Sequence, residues 1–198
     1  MLNQTNNKNK GFTLVELLVA IAIAVFLSTL AFSSISESRE DTRVMDTGLT
    51  QKELTRVTEA YFRDMGFYPP DVNRGWDPGF ERSLPWNPED GGPGVPSAGT
   101  DCSQCPSDWQ TIVAAKWAGP YMTWPKSTSW GGRYDYNYWP EDQVRYGCSI
   151  PKGIYAGAQG DYQNNSTIPP TAEQKLITKG YDADGCIDGE SQLLLWKL

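Results

Sequence analysis

The sequence predicts an α+β protein in which one long amino-terminal helix packs on a small antiparallel β-sheet with long loops. Three observations carry that expectation. The stretch from Phe12 to Ile35 is apolar apart from hydroxyl residues and one carboxylate, Glu16, and no proline occurs before Pro69. Alternating tyrosines at Tyr134, Tyr136 and Tyr138 mark a strand with one aromatic face. The rest of the second half is dense in Pro, Gly and Trp, which favours turns and loops over further helix.

Residues 1–11 are polar and basic, with Lys8 and Lys10, and the apolar stretch 12–35 follows. As helix it measures about 36 Å, enough to cross a hydrocarbon core of about 30 Å with some tilt. A secretory signal also starts basic, but it has a shorter core and an A-x-A-like site, which Ser33-Ser34-Ile35-Ser36 matches poorly. The expectation is a retained span over 12–35. A carboxylate in such a span costs about 2.5–3.5 kcal/mol at its centre and less near an end, so Glu16 is read as a site residue that needs a partner. Ala20, Ala24, Ser28 and Ala31 recur at a spacing that lets helices approach closely; alanine is equally a common helix former, and both readings stand.

Beyond the span, Glu37 to Arg43 is a charged zone, and Leu54, Val57, Tyr61 and Met65 then form an amphipathic stripe. The helix therefore continues over 36–65 into a globular domain spanning 36–198. Gly48 is tolerable within it, Gly66 is a stop signal and Pro69-Pro70 a firm one. Asp71 to Cys105 reads as a long loop, Trp109 to Trp117 as a short helix, and Leu193 to Trp196 as the closing strand.

Composition narrows the function. Formal charge is −7, and −9 once Lys8 and Lys10 are removed with residues 1–11, so nonspecific binding to phosphate backbones is disfavoured. Histidine is absent, which removes the commonest general base and transition-metal ligand. No catalytic constellation is present, and the expectation is a non-enzymatic structural protein.

Gly11-Phe12-Thr13-Leu14-Val15-Glu16-Leu17 resembles the class III leader junction of type IV pilins and type II secretion pseudopilins. The resemblance implies a pilin-like fold and a leader, 1–11, cut after Gly11 by a prepilin peptidase that methylates the new amine of Phe12. It also implies that Glu16 meets the amine of a neighbouring subunit during assembly of a homo-oligomeric filament. Before assembly the chain would lie in the inner membrane with its globular domain periplasmic. It would then enter a periplasmic pseudopilus or a cell-surface filament through an inner-membrane assembly platform and minor pilins or pseudopilins. A carboxylate in lipid is tolerable beside a cationic amine, and pairing within one helix stays open beside pairing between subunits. Family members often carry a proline where this chain has Ser33.

Phe67-Tyr68-Pro69, Gly119-Pro120-Tyr121, Trp130-Gly131-Gly132-Arg133-Tyr134 and Gly180-Tyr181-Asp182-Ala183-Asp184-Gly185 are similar to the G-type major pseudopilin and follow its order. The 71–105 loop and the cysteines depart from it, so secretion pseudopilus and surface pilus for adhesion or motility both remain open. Asp182, Asp184 and Asp188 concentrate hard oxygen ligands among glycines without EF-hand spacing. The resemblance implies calcium there; an Asp-Gly turn solvated by water is the alternative.

Cys102, Cys105, Cys148 and Cys186 lie on the side of the membrane opposite the basic leader, which is oxidising in bacteria, so two disulfides are expected, in any of three connectivities. A redox Cys102–Cys105 pair and a four-thiolate metal site are less well supported. Aromatic residues, including eight tryptophans and ten tyrosines, are expected in core and subunit packing. Two functions of other classes remain: a membrane-anchored thiol oxidoreductase needs a reactive Cys102 or Cys105, and a carbohydrate-binding module needs exposed Trp86, Trp109, Trp124 or Trp130.

Overall fold

The computed structural model describes residues 12–87, 102–145, 147–161, 164 and 166–198, apart from the side chain of Ser33. Leader residues 1–11, with Gly11, lie outside the described residues. Helix α1 runs Leu14–Met65, close to the expected 12–65. The chain divides into two compact units, Met1–Glu40 and Asp41–Leu198. In the first, every described side chain from Phe12 to Phe32 is exposed, and α1 is long and apolar enough there to cross a membrane.

In the second unit α1 buries Leu54, Val57, Tyr61 and Met65, the stripe read from the sequence. They meet one face of a three-stranded antiparallel sheet made of β1 (Gly131–Trp139), β4 (Gly153–Gly160) and β5 (Glu190–Lys197), in the order β1-β4-β5. Tyr134 and Tyr136 of β1 supply the aromatic face, and Tyr136 meets Phe80 edge to face at 5.7 Å. This is the long-helix-on-small-sheet arrangement of a type IV pilin-like fold. A second core joins Val44 of α1 to Trp130, Ile168, Ala172 and Leu176. Burying each such aliphatic or aromatic side chain contributes about 1.5–3 kcal/mol.

Four elements were not expected. Strand β4 reads Gly-Ile-Tyr-Ala-Gly-Ala-Gln-Gly, a poor strand sequence, yet it is buried throughout as the central strand. Its small residues allow close approach: a Cβ at Gly132 of β1 would collide with the carbonyls of Gln159 and Gly160. Helix α3 (Pro170–Thr178) starts on a proline and buries Ala172, Glu173 and Leu176. Strands β2 (Gln143–Arg145) and β3 (Cys148–Ile150) form a separate hairpin whose Ile150 packs with Trp139 and Tyr155. The expected short helix is α2, Trp109–Lys116, and the closing strand is longer than Leu193 to Trp196.

Part of the expected 71–105 loop is held by backbone. Val72 and Gly75 donate to the carbonyls of Tyr136 and Tyr134 at 3.3 and 2.8 Å, covering the edge of β1. Asp77 is fully buried, and its carboxylate accepts the N–H groups of Gly79, Phe80, Glu81 and Arg82.

Burial, with the nearby Asp71 carboxylate second, pushes Asp135 of β1 up to about 7. The unfolded chain releases this proton near pH 4 and the folded chain near pH 7, so stability is lost as pH rises through that interval. Thermal melts at pH 5 and pH 8 should show Asp135→Asn reducing the loss, by a few kcal/mol at most.

Candidate functional site

The first site residues stand at the start of α1. Glu16 lies in the first turn of the helix, and its Oε2 accepts the Thr13 N–H at 2.8 Å and the Thr13 hydroxyl at 2.7 Å. The Glu16 N–H in turn donates to Thr13 Oγ1 at 3.2 Å. This is a reciprocal capping box, which satisfies donors that a helix start otherwise leaves open. Thr13 therefore belongs to the site. Its signal, Thr-x-x-Glu before an apolar run, stands in the sequence. Phe12 is 88% exposed, and the box holds the Glu16 carboxylate within the turn next to it.

The second group is the acidic loop between α3 and β5. Tyr181 and Asp182 donate their N–H groups to the Leu176 carbonyl at 2.9 and 3.3 Å, closing the end of α3. The Tyr181 ring rests on Gly48 of α1, where any Cβ would overlap it, so that glycine has a packing role beyond being tolerable. Asp182 Oδ1 accepts the Gln192 N–H at 3.1 Å, and Asp184 Oδ1 accepts the Cys186 N–H at 2.8 Å. Asp188 Oδ1 accepts the Glu190 N–H at 3.0 Å. From behind, fully buried Glu173 of α3 accepts the N–H groups of Asp188 and Gly189 at 3.1 and 3.0 Å. Nothing in the sequence separated Glu173 from an ordinary surface glutamate.

Asp182 is 5% exposed, and the second oxygens of Asp182 and Asp184 are buried with no donor from the rest of the chain, the two carboxylates lying within hydrogen-bonding reach of each other. Burial first, and the Asp184 carboxylate second, push Asp182 well up from the ordinary carboxylate range. Asp184 is raised by burial and by the charges of Asp188 and Glu190. Burial, with Asp188 adding, pushes Glu173 up to about 7. Crowded carboxylates with open oxygens are the chemistry that a hard cation satisfies. All three carboxylates accept backbone N–H groups; Asp182 and Asp184 fit that role because each also has a buried second oxygen without a donor from the rest of the chain, which Asp188 does not. Among the described residues no three carboxylate or cysteine side chains converge on one point as a metal cluster.

The cysteines pair as Cys102–Cys105 and Cys148–Cys186, which selects one of the three connectivities. Cys105 stands in a turn four residues before α2, not at its first turn, where a helix would activate a thiol. Trp124 and Trp130 are buried, so they are lost to the sugar-platform alternative; Trp86 lies under the Arg82 guanidinium and Trp109 packs against the core. The aromatics thus serve mainly as core.

The prokaryotic N-terminal methylation motif matches this chain over residues 6–32, covering the leader junction, Thr13, Glu16 and most of the exposed apolar helix. No curated protein and no solved structure matches the chain. The motif supports a type IV pilin-like or pseudopilin subunit, processed by a prepilin peptidase and assembled into a filament.

Proposed function

We propose that this chain is a non-enzymatic structural subunit of a type IV-like filament, and more finely a major pseudopilin of type II secretion. One observation supports the filament-subunit reading: the methylation motif lies in register with a capped Glu16 at the head of an exposed apolar span. In this reading Gly11 is the cleavage residue and Phe12 the methylated terminus. Glu16, already oriented by Thr13, receives the amine of an adjoining subunit. The globular unit is periplasmic, and the partners are the prepilin peptidase, the inner-membrane assembly platform and minor pseudopilins. The disulfides favour a second reading, a surface pilus pilin, because the cysteines depart from the G-type pattern.

Intact mass of the exported chain tests the processing step. The expected product begins at a methylated Phe12, and Gly11→Leu should leave residues 1–11 attached because the peptidase site takes a small residue. Retention of Met1 to Gly11 in the wild type would overturn the reading. Neighbouring genes separate the two filaments, since both need an assembly ATPase and a secretin while only one is surrounded by secretion components.

Calcium is proposed for the acidic loop, on the unpartnered oxygens of Asp182 and Asp184 and with charge from Asp188. A bound calcium ion would neutralise these carboxylates and supply the coordination that their open oxygens lack.

A further inference from the structure

We infer that the Cys148–Cys186 disulfide is a strap that sets the cation affinity of the acidic loop, so that cation binding and oxidation of this pair reinforce each other. The inference rests on the calcium reading just proposed. It concerns the bridge, which that reading does not use.

The loop is fixed to the fold at three places. Its start is tied by Asp182, which accepts the Gln192 N–H, and by the Ala183 N–H, which donates to the Gln192 carbonyl at 2.9 Å. Its end is tied by Glu173 through the Asp188 and Gly189 N–H groups. Between them stands Cys186, covalently joined to Cys148 across 38 residues of sequence. Cys148 is a sound base: it is buried at the first position of β3, and Ile150 of the same strand packs under Trp139 and Tyr155.

Cys186 also orients a proposed ligand. Its N–H holds Asp184 Oδ1 at 2.8 Å, and the other oxygen of that carboxylate is the buried, unpartnered one. The bridge therefore reaches Asp184 through one covalent link and one hydrogen bond. By contrast, Ile187 next to it is half exposed and gives the loop no apolar hold.

The charges act against the geometry. Asp182, Asp184, Asp188 and Glu190 lie within one short loop, so in the ionised loop these groups push one another apart. An untied loop relieves that repulsion by opening, and a cation must then gather the ligands again at an entropic cost. The strap keeps the carboxylates together beforehand. Positioning residues of this kind affect metal affinity by about 10- to 100-fold.

Binding linkage is reciprocal: if the oxidised form binds the cation tenfold more tightly, the cation favours the disulfide over the dithiol tenfold. A tenfold change in this two-electron couple is about 30 mV. The reduction itself needs two electrons and two protons, supplied by dithiothreitol, which leaves as its own cyclic disulfide while Cys148 and Cys186 become thiols.

The test is calorimetric titration of calcium into the full chain in detergent micelles. Wild type and Cys102→Ser/Cys105→Ser should bind alike, and Cys148→Ser/Cys186→Ser should bind about tenfold more weakly. Equal affinity of the last variant and the wild type overturns the strap and leaves the calcium reading in place. Absence of calcium binding by the wild type removes the calcium reading and overturns the inference with it. A second measurement needs no variant. The oxidised fraction of Cys148–Cys186 in dithiothreitol redox buffers, read by alkylation and peptide mass, should shift about tenfold toward the disulfide in calcium relative to chelator. An unchanged fraction overturns the strap even if the cysteine variant fails to fold.

Discussion

Glu16→Ala should insert into the membrane and be cut after Gly11, yet fail to enter filaments. Loss of the carboxylate makes the span more apolar, so insertion is eased. Each assembled subunit would then carry a Phe12 amine with no opposite charge beside it. Breaking a buried pair by removing one partner costs about 3–5 kcal/mol, so incorporation should fall by more than about a hundredfold. The capping box lets two roles of Glu16 be separated. Thr13→Ala removes the hydroxyl half of the box, a loss of about 0.5–2 kcal/mol of helix stability, and leaves the charge. Glu16→Gln keeps a side chain able to close the box and removes the charge. Incorporation should therefore survive the threonine change and fail with glutamine. Pull-down of filaments from cells expressing tagged wild-type and variant subunits together measures this, and efficient entry of the alanine variant would show that the carboxylate is not an assembly determinant.

Chelation should lower the melting temperature of the full chain in micelles by about 5–10 °C. A ligand that binds only the folded state at a hundredfold excess over its dissociation constant contributes about 2.7 kcal/mol, and for a chain of this size each kcal/mol moves the melting point by about 2–4 °C. Asp184→Ala should melt lower in calcium and show no response to chelator. The pH dependence has a definite sign. Asp182, Asp184 and Glu173 all release their protons at higher pH in the folded chain than in the unfolded one. In chelator, stability is therefore lost as pH rises from about 4 through about 7, the folded value for Glu173, and on to about 8, that for Asp182. Calcium should flatten that fall. Identical wild-type melting with and without chelator would return the loop to a solvated turn.

The legible parts of the fold were those whose physics is written in one short stretch. The apolar run, the proline-free interval and the Leu54, Val57, Tyr61, Met65 stripe give α1, and tyrosine alternation gives β1. Strand β4 was not legible because its side chains are chosen for their neighbours: Ala156 and Ala158 share the core with Tyr134 and Tyr136, glycine at 132 lets β1 close on β4, and glycine at 160 lets β4 close on the backbone of Ser166 and Thr167. Helix α3 was hidden by its opening prolines and by a buried glutamate on its inner face. At the candidate sites the residues proposed to make contact were visible, namely Glu16, Asp182, Asp184 and Asp188, as were the cysteines. What escaped was the set that orients them. The roles of Thr13, Glu173 and Gly48 are defined by partners, and for two of those the partner lies far along the chain.

The contacts of α1 also set a clock for folding. Gln51 on this helix donates to the Leu194 carbonyl at 3.0 Å, 143 residues later, and Val44 is covered by Ile168 and Leu176. The inner face of α1 is thus closed by β5, far along the chain, a high contact order that loop-closure entropy makes slow. In the proposed orientation the helix is anchored in the membrane by its first half while Leu54 and Val57 of its second half stay uncovered until residues beyond 190 have been translocated. Subunits become competent only when whole, and a chain interrupted before β5 presents an open apolar face to proteases and chaperones rather than to a growing filament.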